Sequence, residues 1–298
     1  MKHRGRLVSV GVTGAKLQSW TILLQAPDYR DRISIFLWVI LAMLAAGLFV
    51  QLPARTMTWI IFGTPLSIDV NTSTLLAIPL LVLAASGVRA VVRAHPRAAA
   101  GELPNAWIMA ALPCAYVLTA AQFLPLIQAR VTWLIVLALT GFLLAAISMM
   151  IYHTIDENDR VYHLARVALN FITYAIALLL FLIVYQSRAR SVLSGTLTTV
   201  IGTLLTLELL RGAGATIAQR PVLTYGLLCG LVLGEAMWVL NYWQLPSLTG
   251  GFVVLLVFYL LVGLAQQGVA GTWRRIIVFE FLAIGAVGVL LLWQFAPR

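Results

Sequence analysis

The sequence predicts an all-α fold, a bundle of about nine membrane-spanning helices, and three observations carry that prediction. First, 61% of the 298 residues are hydrophobic and only 10% are charged. A soluble domain usually carries about 25% charged residues. Second, long apolar runs recur at short intervals, and mean hydropathy reaches +0.97. A soluble core cannot absorb that much apolar surface. Third, the runs do not alternate apolar and polar residues, as the strands of a membrane β-barrel must.

Nine spans follow in order, each near the roughly 20 residues that a bilayer core requires. They cover 33–52, 73–94, 105–128, 131–151, 165–186, 191–210, 222–243, 249–267 and 275–295. Residues 1–32 form a basic N-terminal segment, and 33–298 one transmembrane domain. The head of the chain, "MKHRGRLVSVGVTGAKLQSW", has an apolar stretch broken by Gly and Thr, unlike a signal peptide. The stretch 53–72, "PARTMTWIIFGTPLSIDVNT", is too short in its apolar part to span. It reads as a loop or an interfacial segment.

Orientation follows from the basic residues. With the N-terminus in the cytoplasm, 15 of the 20 Lys and Arg residues fall inside. The five left outside are Arg55, Arg130, Arg188, Arg190 and Arg298. This is the positive-inside bias of an inner-membrane protein, and nine spans then put the C-terminus outside. The same spread over short loops explains the net charge of +10 without nucleic acid as a partner. Trp238, Tyr242 and Trp243 fall at the outer end of span seven, where an aromatic belt is expected.

Spans two to five and six to nine share a layout, which suggests a parallel repeat of the kind some transporters carry. Each set has an Arg (Arg89, Arg211), a loop Pro (Pro96, Pro221) and a span with one Cys (Cys114, Cys229). Neither cysteine lies in a CxxC pair, so both read as small packing residues. In span seven, Gly226, Gly230 and Gly234 recur every four residues and make a smooth face for a neighbouring helix.

Motifs for catalysis are missing. The chain has no GxSxG elbow, no GxxxxGK phosphate loop and no HExxH, and its spans hold no Lys for a Schiff base. No cofactor is indicated. The loop "YHTIDENDRVYH", 152–163, is the most polar stretch after the N-terminus. If the flanking helices continue through it, His153, Asp156, Glu157, Arg160 and His163 fall within an arc of roughly 120°. The His and carboxylate groups could hold a divalent metal, but Arg160 in the same arc opposes it. A solvated, internally paired loop is the competing reading.

Three acids lie within spans. Glu208 is three residues before Arg211, and Glu280 is about 8 Å along span nine from Arg275. These predict an ion-pair cluster of Glu208, Arg211, Glu280 and Arg274 or Arg275 on the cytoplasmic side. The same groups could form a vestibule for a phosphate or carboxylate. Glu235 is different. It lies about 20 Å along span seven, close to the bilayer middle, with no Lys or Arg at that depth. Ionised there, it costs about 2.5–3.5 kcal/mol. It is therefore expected to be neutral or to bind a cation. Span six carries Thr196, Thr199, Thr203 and Thr206 on one face, and Thr199 and Thr203 at mid-depth are the expected hydrogen-bond partners of Glu235.

The segment "EAMWVLNYWQLPSLTGGFVVLLVFYLLVGLAQQ", 235–267, resembles a family of uncharacterised bacterial polytopic membrane proteins, known only as a domain of unknown function. The resemblance implies an inner-membrane setting and carries over no site residues. Three functions compete. A transporter- or permease-like protein is favoured by the repeat and the buried acids. A non-catalytic membrane subunit, paired with itself or with other subunits, is favoured by the glycine face and short loops. An intramembrane enzyme acting on a lipid-linked substrate is favoured by the polar cytoplasmic cluster.

Overall fold

The structure is a computed structural model. It describes residues 29–50, 53, 55–61, 64–70, 72–99, 107–187, 189–211, 219–243, 245–271 and eight positions within 279–290. Among the described residues, eight long helices run in chain order: α1 (Tyr29–Phe49), α2 (Thr72–Val92), α3 (Ala111–Phe123), α4 (Arg130–His153), α5 (Tyr162–Gln186), α6 (Ser191–Arg211), α7 (Gln219–Tyr242) and α8 (Ser247–Ala270). One-turn 3-10 segments, Ile108–Ala110 and Leu124–Leu126, extend α3 at both ends. Of these, again among the described residues, seven helices are long and apolar enough to cross a membrane. They are α2 to α8, with α3 counted over Ile108–Leu126. α1 is uncharged from Ile33 to Phe49. The described positions between 279 and 290 are also helical. There Phe281 lies against Gly263 of α8, and Leu256 of α8 lies against Gly288.

The described residues are nearly all helical, as expected, except in the segment between α1 and α2. It is not a loop. Arg55–Ile61 (β1) pairs antiparallel with Thr64–Val70 (β2). Met57 stands opposite Ile68, and Trp59 opposite Leu66. The signal was a period of two. Thr56 and Thr58 alternate with Met57 and Trp59, and Ser67 and Asp69 with Leu66, Ile68 and Val70. Each strand is too short to cross as a helix, and pairing lets the two satisfy backbone groups against each other.

Single residues mark local features of the helices. Pro79 sits inside α2 and removes one backbone donor. α8 ends at Gly271, whose φ of 65° is the left-handed conformation that a residue without Cβ adopts freely.

Side chains pack in linked apolar layers. α1, α2, α3 and α4 share one cluster around Ile40, Leu80, Val117 and Leu144. α5, α6, α7 and α8 share another around Phe181, Leu205, Leu233 and Phe258. A third, with Val88, Leu112, Ile147 and Leu169, joins the two groups through α3 and α5.

The tightest seam lies between α6 and α7. A Cβ on Gly230 would meet the Thr199 carbonyl at 2.6 Å, and one on Gly234 the Gly195 carbonyl at 2.9 Å. Gly226 continues the seam against the side chain of Leu207. The glycine face of α7 therefore receives α6. The second helix of the first set, α3, has no glycine with which to repeat this. The two cysteines also point to different places. Cys114 on α3 donates back to the Leu81 carbonyl of α2, whereas Cys229 on α7 donates forward to the Leu261 carbonyl of α8. At these positions the two sets of helices are not equivalent.

Candidate functional site

One end of the bundle collects the charge. Tyr29 at the start of α1 stacks on Tyr152 at the end of α4, with ring centroids 4.1 Å apart. Arg32 donates to the Ala90 carbonyl near the end of α2. These contacts bring residues 29–32, 90–97, 152–159 and the ends of α5 and α6 to one end, called the basic end here. At the opposite, aromatic end, the Tyr185 hydroxyl bonds the carbonyls of Trp243 and Leu245, at 3.3 and 3.1 Å.

At the basic end Glu208 is enclosed. Its position in the last turn of α6 puts it one turn from Arg211. Arg211 Nη2 donates to Glu208 Oε1 at 2.8 Å, and Nε to Oε2 at 3.3 Å. The two bonds form the parallel fork that a guanidinium makes with a carboxylate. Arg166, from the first turns of α5, lies on the other side, with Nη1 3.8 Å from Oε1. Its Nη2 donates to the carbonyls of Glu208 and Leu209, at 3.1 and 3.3 Å. A cation on the last carbonyls of α6 also suits the negative end of that helix's dipole. Arg211 Nη2 reaches Thr154 Oγ1 at 3.4 Å and so ties α6 to the end of α4. The Glu208 side chain is only 2% exposed, Arg166 10% and Arg211 13%. Such a cluster is desolvated, and its members depend on one another. Arg166 Nε has no hydrogen-bond partner among the described residues.

Sequence reasoning paired Glu208 with Arg211 and missed Arg166 and Thr154. A signal for Arg166 existed. It is the sole charged residue of α5 besides His163, and it falls in phase with Leu169, Thr173, Ile176 and Leu180 on the buried face. The other expected members, Glu280, Arg274 and Arg275, lie outside the described residues.

The loop after α4 lacks the continuous helix on which the metal alternative depended. From residue 154 the chain turns instead of continuing helically, so His153, Asp156, Glu157, Arg160 and His163 do not share a helix face. His153 Nδ1 pairs with Asp159 Oδ2 at 2.6 Å. Asp159 was not among the candidates. Its carboxyl is held below the usual aspartate range by that hydrogen bond and by the Val161 amide. Asp156 accepts from the Asn158 amide at 3.1 Å and faces Arg97 at 3.5 Å. Two candidate ligands are thus held by separate partners. Among the described residues no three His, Cys, Asp or Glu groups gather as metal ligands would. His95 lies beside Tyr152, edge to face, and burial lowers the pKa of its imidazole.

Glu235 lies elsewhere. It is exposed on α7, away from α6. The predicted hydrogen bonds from Thr199 and Thr203 do not form. The two threonines do face α7, but against Gly234 and Gly230. Their hydroxyls donate to their own helix, Thr199 to Gly195 and Thr203 to Thr199, at 2.9 and 2.7 Å. The reason is phase. The glycines that admit α6 lie on the opposite side of α7 from Glu235.

A helical bundle with seven apolar, membrane-length helices, tied at one end by a buried ion cluster, has the architecture of a membrane protein. Within that class the chain belongs to the family described as "Protein of unknown function (DUF5656)", whose model matches residues 52–294. No curated protein and no solved structure matches the chain.

Proposed function

We propose that this chain is a non-catalytic subunit of the plasma membrane, the inner membrane where there are two, and that it works by assembling with another membrane-embedded chain. One observation carries the reading: the acid nearest the bilayer middle, Glu235, points out of the bundle. A carboxylate in hydrocarbon is costly, and such groups normally face protein or water. An outward acid therefore marks a surface that protein covers. The interior supports the same reading. Its four clusters are apolar, and hydroxyls such as Thr173 and Ser148 are spent on carbonyls of their own helices. On the positive-inside bias the basic end faces the cytoplasm.

A second reading is transport. It is favoured by Thr198 and Thr206, buried hydroxyls of α6 that have no acceptor among the described residues. Purification in mild detergent, with proton-coupled flux measured in liposomes, separates the two. The assembly reading expects a complex larger than one chain and no flux. A lone chain that carries protons would overturn it.

A further inference from the structure

The outward face of α7 has a regular layout. Thr224, Leu228, Leu231, Glu235, Trp238 and Tyr242 are all exposed and recur at spacings of four, three, four, three and four. At 100° per residue they lie within about 80° of one another. They run along the middle of a wider exposed face that also carries Leu223, Leu227, Val232 and Val239, at the heptad spacing with which one helix can meet another along a seam. The seam runs about 27 Å, close to the full hydrocarbon thickness. Leu228, Leu231 and Tyr242 are 51%, 53% and 75% exposed. Beside it, between α7 and α8, runs an apolar groove of about 140 Å³ lined by Tyr225, Leu228, Val232 and Leu261. Glu235 is the sole ionisable group between Arg220 and Tyr242 on α7 apart from Tyr225 and Cys229, and it stands near the middle of the seam. Among the described residues it has no hydrogen-bond or ion-pair partner.

We infer that a second copy of this chain covers this face, in a parallel two-fold pair through α7 in which the two Glu235 side chains meet as neutral carboxylic acids. The inference rests on the assembly reading above and names its partner. Charge bias gives every copy the same orientation, so a two-fold axis along the membrane normal sets each residue against itself at the same depth. A single acid on one face is thereby matched automatically. Each neutral carboxyl then donates through its O–H and accepts at its C=O, which lipid cannot offer. A different partner would need its own polar group at that depth. Between apolar helices in lipid there is little hydrophobic drive, so such a polar contact is what selects the face.

The test is oxidative cross-linking of the full chain in native membranes, with Cys114 and Cys229 replaced by Ser. Leu231→Cys and Trp238→Cys should each yield a dimer, whereas Leu134→Cys, exposed on α4, should not. Glu235→Gln keeps donor and acceptor and should preserve the dimer. Glu235→Leu should lower the dimer fraction about fivefold or more, the effect of losing one such polar contact. It should leave the thermal stability of the single chain in detergent unchanged or raised, since an exposed acid has become apolar. Equal cross-linking at residue 134, or an undiminished dimer in Glu235→Leu, would overturn the pairing. Adducts of a different mass without any dimer would overturn the second copy and leave the assembly reading standing. No adduct of any kind would likewise overturn the second copy, which must carry the same cysteine, and would leave the assembly reading to the detergent purification above.

Discussion

Glu208 shows how much one buried carboxylate organises at the basic end. It receives the Arg211 fork, faces Arg166 and stands one turn from the end of α6. Removing it would leave two nearly buried guanidiniums facing each other. Breaking a buried pair on one side costs about 3–5 kcal/mol, because the remaining charge loses its counter-charge. Glu208→Gln should therefore lower thermal stability more than the double change Glu208→Gln with Arg211→Gln, read as melting in detergent. Equal, small losses would mean that water already solvates the cluster. The sequence made half of this legible. Glu208 and Arg211 are close along one helix, so spacing alone pairs them. Arg166 is 42 residues from Glu208, and only tertiary packing brings it there.

At the scale of elements, existence was legible and facing was not. Long apolar runs located the helices, and a four-residue glycine period located the seam face of α7. Which face of a membrane helix meets lipid is harder to read, because lipid-facing and protein-facing side chains are equally apolar. Glu235 was therefore expected against the α6 threonines and instead lies on the opposite side. The hairpin was missed for another reason: a period of two over seven residues is weak beside runs of 20. The glycine seam gives a sharp prediction. Gly230→Ala would place a methyl against the Thr199 carbonyl, at 2.6 Å, where backbone cannot yield as a side chain can. Overpacking of this kind typically costs 1–3 kcal/mol, roughly as in other close-packed cores. Gly271→Ala is a useful contrast. Nothing lies within 4 Å of its Cβ, and any loss there reflects backbone strain at φ 65° alone. Melting should fall for Gly230→Ala with loss of contact between α6 and α7, seen as raised protease or label access to Thr203. Unchanged access would mean that the seam is looser than its geometry.

Taken as a whole, the molecule has two unlike ends, and the contacts that define them are independent of any membrane. Arg32 reaches the end of α2, Arg97 faces Asp156 after α4, and Arg211 of α6 reaches Thr154. These three arginines, from separate parts of the chain, therefore gather physically at one end. The aromatic end is held by Tyr185 and by Asn241, which donates to Ser194 at 2.6 Å. If the basic end is cytoplasmic, α1 enters from the cytoplasm, the hairpin lies outside, and the 152–163 loop lies inside. A ninth crossing over 275–295, as the apolar run there predicts, would then carry the C-terminus outside. A reporter active only in the cytoplasm should be silent when fused after Arg298 and active when the chain is cut and fused within the 152–163 loop. The two fusions test different steps. Activity after Arg298 with activity in the loop would mean that the last helical run does not cross, so the count of spans is wrong. Silence in the loop with activity after Arg298 would invert the whole bundle, and the Arg bias would then have failed as the orienting force.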